Sequence, residues 1–232
     1  MNAMKLLAID ASTEYLSLAL QVRGQVHAYH AQAGATASQL ILPQIQALLT
    51  QADVRLSDLH GIAFGAGPGA FTGVRVACGV AQGLAFGANL PVVGINTLAA
   101  LAQASGADNV IACLDARMGE IYHAAFVKQA DAWLEVSAAV VCKPENAPHL
   151  DGQAWVGAGS GWAAYEAVLS ALYQPNLTRV VPQIYPTATA ILQLAAPVFA
   201  AGKAVPAHEA SPVYVRNRVA FTTLERAQGQ TL

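Results

Sequence analysis

Gly67-Pro68-Gly69-Ala70-Phe71-Thr72-Gly73-Val74-Arg75 is a glycine-rich turn set between two apolar runs of different period. The run before it, Gly61-Ile62-Ala63-Phe64, has the length and composition of a short buried strand. The run after it repeats Val76, Val80 and Leu84 at helical spacing, with alanines between. The turn therefore opens a helix. Backbone N–H groups at a helix N-terminus have no intrahelical partner and carry partial positive charge, so glycines there admit either an anion or another stretch of backbone. A Walker A loop is excluded, because it needs Lys and then Ser or Thr after its last glycine, where this chain has Val74 and Arg75.

On the N-terminal side of the turn, residues 5–10, 15–22 and 25–31 read as three strands, the last two joined by the tight-turn pair Arg23-Gly24. Residues 38–52 place Ile41, Ile45, Leu48, Leu49 and Ala52 on one face of an amphipathic helix that contains Pro43. On the C-terminal side follow a helix to about residue 88, a buried strand at 91–95 and a helix capped by Asn96 or Thr97. The order is βββαβαβα. A meander followed by crossovers typifies the ribonuclease-H-like fold, the half-unit of two-lobed actin-like α/β proteins. A polar, glycine-containing stretch at 104–108 marks a boundary, giving an N-terminal lobe at 1–106 and a second lobe at 107–232. In the second lobe, strands are expected at 109–114, 120–127 and 154–156 and helices at 162–172 and 187–200. No glycine loop with acidic partners stands out, so that lobe reads as degenerate.

Bulk composition narrows the function classes. The chain has 232 residues, 55% hydrophobic and only 11% charged, which is sparse cover for a whole surface and suggests that a partner buries part of it. A net charge of -2 gives no general attraction to nucleic acid or anionic membrane. Cys78, Cys113 and Cys142 are odd in number, widely spaced and set in apolar surroundings, which suits reduced core thiols in the cytoplasm. Residues 76–107 carry no formal charge, but Gln82, Asn89, Pro91 and Asn96 divide them into pieces too short to span a bilayer.

Within the helix after the turn, Gly79, Gly83 and Gly87 fall four apart, so one side is nearly bare backbone. Each interior glycine costs about 1 kcal/mol relative to alanine, and close approach of a neighbour is the natural offset. That neighbour is either the chain's own body or another subunit, and the low charge favours the latter. For chemistry, Asp10 ends the first strand where actin-like ATPases hold a magnesium-linked carboxylate, and Ser12 with Thr13 follows it. These three residues are a vestigial nucleotide turn on this reading. The six histidines include no His-x-x-x-His pair, so no metal site is expected, and no Gly-x-Ser-x-Gly elbow supports a hydrolase. Arg216, Arg218 and Arg226 concentrate positive charge near the C-terminus, a solvated tail or an auxiliary contact to phosphates or a partner.

Residues 7–13 (Leu-Ala-Ile-Asp-Ala-Ser-Thr), 38–43 (Ser-Gln-Leu-Ile-Leu-Pro), the 67–75 loop, 115–122 (Asp-Ala-Arg-Met-Gly-Glu-Ile-Tyr) and 211–216 (Ser-Pro-Val-Tyr-Val-Arg) together resemble the TsaB (YeaZ) family of bacterial tRNA threonylcarbamoyladenosine biosynthesis proteins. The resemblance covers nearly the whole chain. It implies a non-catalytic subunit that supports the paralogous transferase TsaD, with the ATPase TsaE, in modifying the adenosine beside the anticodon of tRNAs that read codons starting with A. It also implies homodimers through the same surface when the partner is absent, contact with tRNA only through the complex, and ATP and Mg2+ belonging to the partners. The expected docking face comprises Leu40, Ile41, Gln44, Leu48, Phe71, Thr72, Arg75, Val76, Gly79, Val80, Gly83 and Gly87. Departures from the family pattern are Ala37-Ser38-Gln39 in place of His-Ser-Glu, and Ala70 and Val74 in place of Ser and Leu. The alternative is an actin-like ATP-dependent enzyme or a glycoprotease-like hydrolase in its own right.

Overall fold

The computed structural model describes residues 4–130, 132–152 and 154–215. Strands β1 (Leu6–Asp10), β2 (Tyr15–Val22) and β3 (Gln25–Gln32) form the opening meander, and β4 (Gly61–Gly67) and β5 (Val92–Asn96) extend it in parallel, in the order β3-β2-β1-β4-β5. All five residues of β1 are buried. Their continuous apolar run follows from helices on both sheet faces. Leu7 and Ile9 point to the face covered by α1 (Ala37–Gln51) and α2 (Phe71–Ala88), while Leu6 and Ala8 point to the opposite face. Helix α3 (Thr97–Ser105) begins at Asn96, whose Oδ1 accepts from the N–H groups of Leu98 and Ala99.

The second sheet contains β6 (Asn109–Arg117), β7 (Glu120–Gln129), β8 (Ala132–Cys142), β9 (Trp155–Ala158) and β10 (Leu177–Val181), in the order β10-β9-β6-β7-β8. This repeats the first sheet strand for strand, with the same antiparallel and parallel pairings. The fold is thus a two-lobed α/β architecture, and the degeneracy expected of the second lobe lies in its connections and not in its strands. Its sheet is complete, and what is reduced is the helix corresponding to α1, replaced by the single 3-10 turn Pro144–Asn146. Helix α4 (Ser160–Tyr173) covers this sheet.

The simple division at residue 106 also needs qualification. Helix α5 (Ala188–Ala200) returns to the first sheet, where Ala188, Ile191, Leu192 and Ala195 pack with Leu6, Ala8, Ala63 and Val93. The Ala188 N–H donates to Ser17 Oγ at 2.9 Å. Beyond α5, the chain crosses the glycine turn, and the Val213 N–H donates to the Ala66 carbonyl at 2.7 Å. Among the described residues no helix is long and apolar enough to cross a membrane.

Candidate docking face and interlobe cleft

Helix α2 is two-sided because its sequence is. Val74, Ala77, Cys78, Ala81 and Ala85 recur at helical spacing and are buried against the sheet. Gly79, Gly83 and Gly87 lie on the other side and are exposed, and a Cβ added to any of them would meet nothing within 4 Å. No described residue covers this ridge. Phe71, Thr72 and Arg75 are exposed beside it, as are Leu42 of α1 and Phe86, which is 79% exposed.

Not every residue expected on this face belongs there. Ile41 at 1% exposure and Leu48 at 5% are core residues of their own lobe, since the single apolar stripe of α1 is used against β2. Leu40, Val76 and Val80 are half-buried at the margin of that core, and Gln44 is half-buried on α1. Phe86 is absent from the expected set, although its position three residues after Gly83 and seven after Gly79 puts it on the same helical side.

The glycines of the turn serve a different purpose. A Cβ on Gly73 would collide with the Ala11 carbonyl oxygen, and one on Gly69 would collide with the Ser12 carbonyl oxygen. The Ala70 N–H donates to the Ser12 carbonyl at 2.7 Å. The space freed by these two glycines is filled by the backbone of the first-strand turn.

Between the lobes lies a cleft of about 890 Å3, bordered by Ser12, Thr13, Thr72, Asp115, Tyr122 and Ser160. Ser12 and Thr13 border it, but Asp10 does not. The Asp10 carboxyl is fully buried, accepts from Ser12 Oγ at 3.0 Å through Oδ2, and has no partner at Oδ1, which abuts Gly65. Burial pushes its pKa up to about 7, against the pull of the Ser12 side-chain and backbone donors. A carboxyl sealed away from the cleft does not suit a magnesium ligand, and the described residues contain no cluster of three or more His, Cys, Asp or Glu able to hold a metal. The Asp10, Ser12 and Thr13 turn therefore does not fit the Mg2+-nucleotide that an actin-like fold implies. Asp115 and Arg117 pair at 3.0 Å in the β6–β7 turn on the cleft wall. His123 is buried with Nε2 2.7 Å from Tyr173 Oη, and burial holds its pKa down at about 4. Cys78, Cys113 and Cys142 are free, and burial raises all three thiols. Arg216, Arg218 and Arg226 lie outside the described residues.

Over residues 29–220 the chain matches the family model described as "TsaD: tRNA N6-adenosine threonylcarbamoyltransferase". It is 40% identical to the tRNA threonylcarbamoyladenosine biosynthesis protein TsaB of Escherichia coli (strain K12) over 230 residues, which is 95% of this chain and 98% of that protein. The chain belongs to the TsaB family. The TsaB protein of Haemophilus influenzae (strain ATCC 51907 / DSM 11121 / KW20 / Rd) is 39% identical over 237 residues, 97% of this chain and 98% of its own length. Among solved structures, YeaZ from Pseudomonas aeruginosa superposes with a TM-score of 0.85 at 39% identity, covering 91% of this chain and 100% of the other. Membership in the TsaB family accounts for the shared architecture, and the exposed glycine side of α2 is the feature of this member that its own packing leaves unused.

Proposed function

We propose that this chain is a non-catalytic subunit in the formation of threonylcarbamoyladenosine in tRNA. It docks through the exposed sides of α1 and α2 onto a TsaD-type transferase, and a TsaE-type ATPase joins the pair. A second copy of the chain covers the same face when the transferase is absent. ATP and magnesium act on the partner subunits, tRNA is reached through the assembled complex, and the complex works in the cytoplasm. One observation carries this reading: three glycines line a ridge that no described residue covers, so nothing among those residues offsets their cost in helix stability. A complementary helix packed against the ridge would gain dispersion contacts that a side-chain-bearing surface would block. The sealed carboxyl of Asp10 supports an accessory role over an ATPase of its own.

Reconstitution tests the proposal. The transferase, the ATPase, tRNA and threonylcarbamoyl donor are combined with and without this chain, and modified adenosine is measured by nucleoside mass spectrometry. The expected result is modification only when the chain is present, with no ATP turnover by the chain alone. Full modification without it, or Mg2+-dependent ATP turnover by the isolated chain, would overturn the accessory role.

A further inference from the structure

We propose that the docking face extends beyond the two helices onto the Ser211–Val215 segment, and that Arg75, held against Phe71 and Tyr214, is its one charged contact and meets a carboxylate on the transferase subunit. The inference rests on the docking reading above and assigns that face its chemistry.

Across α1 and α2 Arg75 is the sole charged residue. Its guanidinium carbon lies 3.2 Å from the centroid of the Phe71 ring and 4.8 Å from that of Tyr214. Nη1 donates to the Phe71 carbonyl at 3.1 Å, and among the described residues Arg75 forms no ion pair. Two aromatic rings and a carbonyl thus fix a planar cation that has no counter-ion among the described residues. A fixed guanidinium recognises a carboxylate through paired N–H groups at little further loss of side-chain freedom.

Tyr214 reaches this position because its segment is anchored. The Val213 N–H bonds to Ala66, and the Val213 carbonyl lies where a Cβ on Gly67 would meet it at 2.8 Å, so the glycine makes room for the segment. Phe71 and Tyr214 are both exposed, at 56% and 53%. They carry the apolar surface of α2 onto the C-terminal segment. Aromatic residues and Arg are the types enriched in the cores of protein interfaces. A nucleic-acid phosphate is a poorer match, since phosphate backbones are bound by several cations together and the described residues of α1, α2 and 211–215 carry one.

The full-length chain and its cognate transferase are titrated by calorimetry, using wild type, Arg75→Glu, Arg75→Lys, Tyr214→Ala and Gly83→Leu. Arg75→Glu is expected to weaken association by roughly tenfold to a hundredfold, as for loss of a desolvated charge pair. Arg75→Lys and Tyr214→Ala should weaken it by about threefold to tenfold with unchanged melting of the free chain, because each disturbs the stack without reversing the charge. Reversing the matching Asp or Glu on the transferase to Lys should restore binding to Arg75→Glu. If Gly83→Leu abolishes association while Arg75→Glu and Tyr214→Ala bind like wild type, the inference fails and the docking reading survives. If Gly83→Leu also binds normally, both fail. If Arg75→Glu leaves the heterodimer intact and weakens only tRNA binding by the complex, Arg75 is a phosphate contact and the carboxylate assignment is wrong.

Discussion

Two buried titratable residues act on stability in opposite directions over nearly the same pH range. Burial raises the Asp10 pKa to about 7 in the folded chain, above its ordinary 3.8, so its contribution is full below the lower value and is lost as pH rises through the upper one. His123 has a folded pKa of about 4, below 6.5, so its contribution is present above 6.5 and is lost as pH falls toward 4. At the upper limit these amount to about 4 kcal/mol for Asp10 and about 3 kcal/mol for His123. The opposing slopes predict a nearly flat profile of wild-type stability between about pH 4 and 7. Asp10→Asn should expose the His123 slope, with stability rising as pH rises, and His123→Phe should expose the Asp10 slope, with stability falling. Urea unfolding at pH 5 and pH 7.5 checks both signs, and a flat Asp10→Asn profile would contradict them. The location of Asp10 at the end of β1 is legible in sequence, but its sealing is not. That depends on Gly65 of β4, distant along the chain, against which the Asp10 Oδ1 sits.

At the level of elements, the same residue type has opposite roles in the turn and in the helix that follows. Gly73→Ala should destabilise the chain by about 1–3 kcal/mol, because the new methyl group collides with the Ala11 carbonyl. Gly79→Ala should instead stabilise the isolated chain by up to about 1 kcal/mol, since the added methyl meets only solvent and removes the entropy cost of a helical glycine. Thermal melting of the two variants separates these effects, and stabilisation by Gly73→Ala would contradict the account of the turn. Strands β1, β2, β4 and β5 and helices α1 and α2 are visible as patterns because each has a buried face or is mostly buried, and β3 because its residues alternate between half-buried and exposed. Strands β8 and β10 carry no such pattern, and both are edges of the second sheet. β8 is half-exposed along most of its length and β10 has five residues, so neither leaves a clear alternation of apolar and polar positions. The core roles of Ile41 and Leu48 follow from the stripe on α1, and what sequence alone could not supply was which body that stripe meets.

In the whole molecule, the lobes are tied by the return of α5 to the first sheet. A fragment of residues 1–106 leaves Leu6, Ala8, Ala63 and Val93 without the α5 side chains that cover them. Such a fragment should bind a hydrophobic dye and melt without a cooperative transition, because one face of a sheet buried on both sides is exposed. A sharp melt for that fragment would show that the first lobe is self-sufficient. The destination of α5 was hidden from the sequence for a physical reason: an apolar helical stripe reports that it will be buried but not against which sheet. The shared strand order of the two sheets is likewise a property of pairing and not of local pattern. The central claim is that the glycine side of α2 is uncovered so that another polypeptide can pack against it. Its most direct test is the affinity of Gly83→Leu for the TsaD-type transferase, measured beside the melting temperature of the free variant. The account predicts a folded chain that melts at or above the wild-type temperature and no longer binds. Wild-type affinity in a folded Gly83→Leu chain would contradict it.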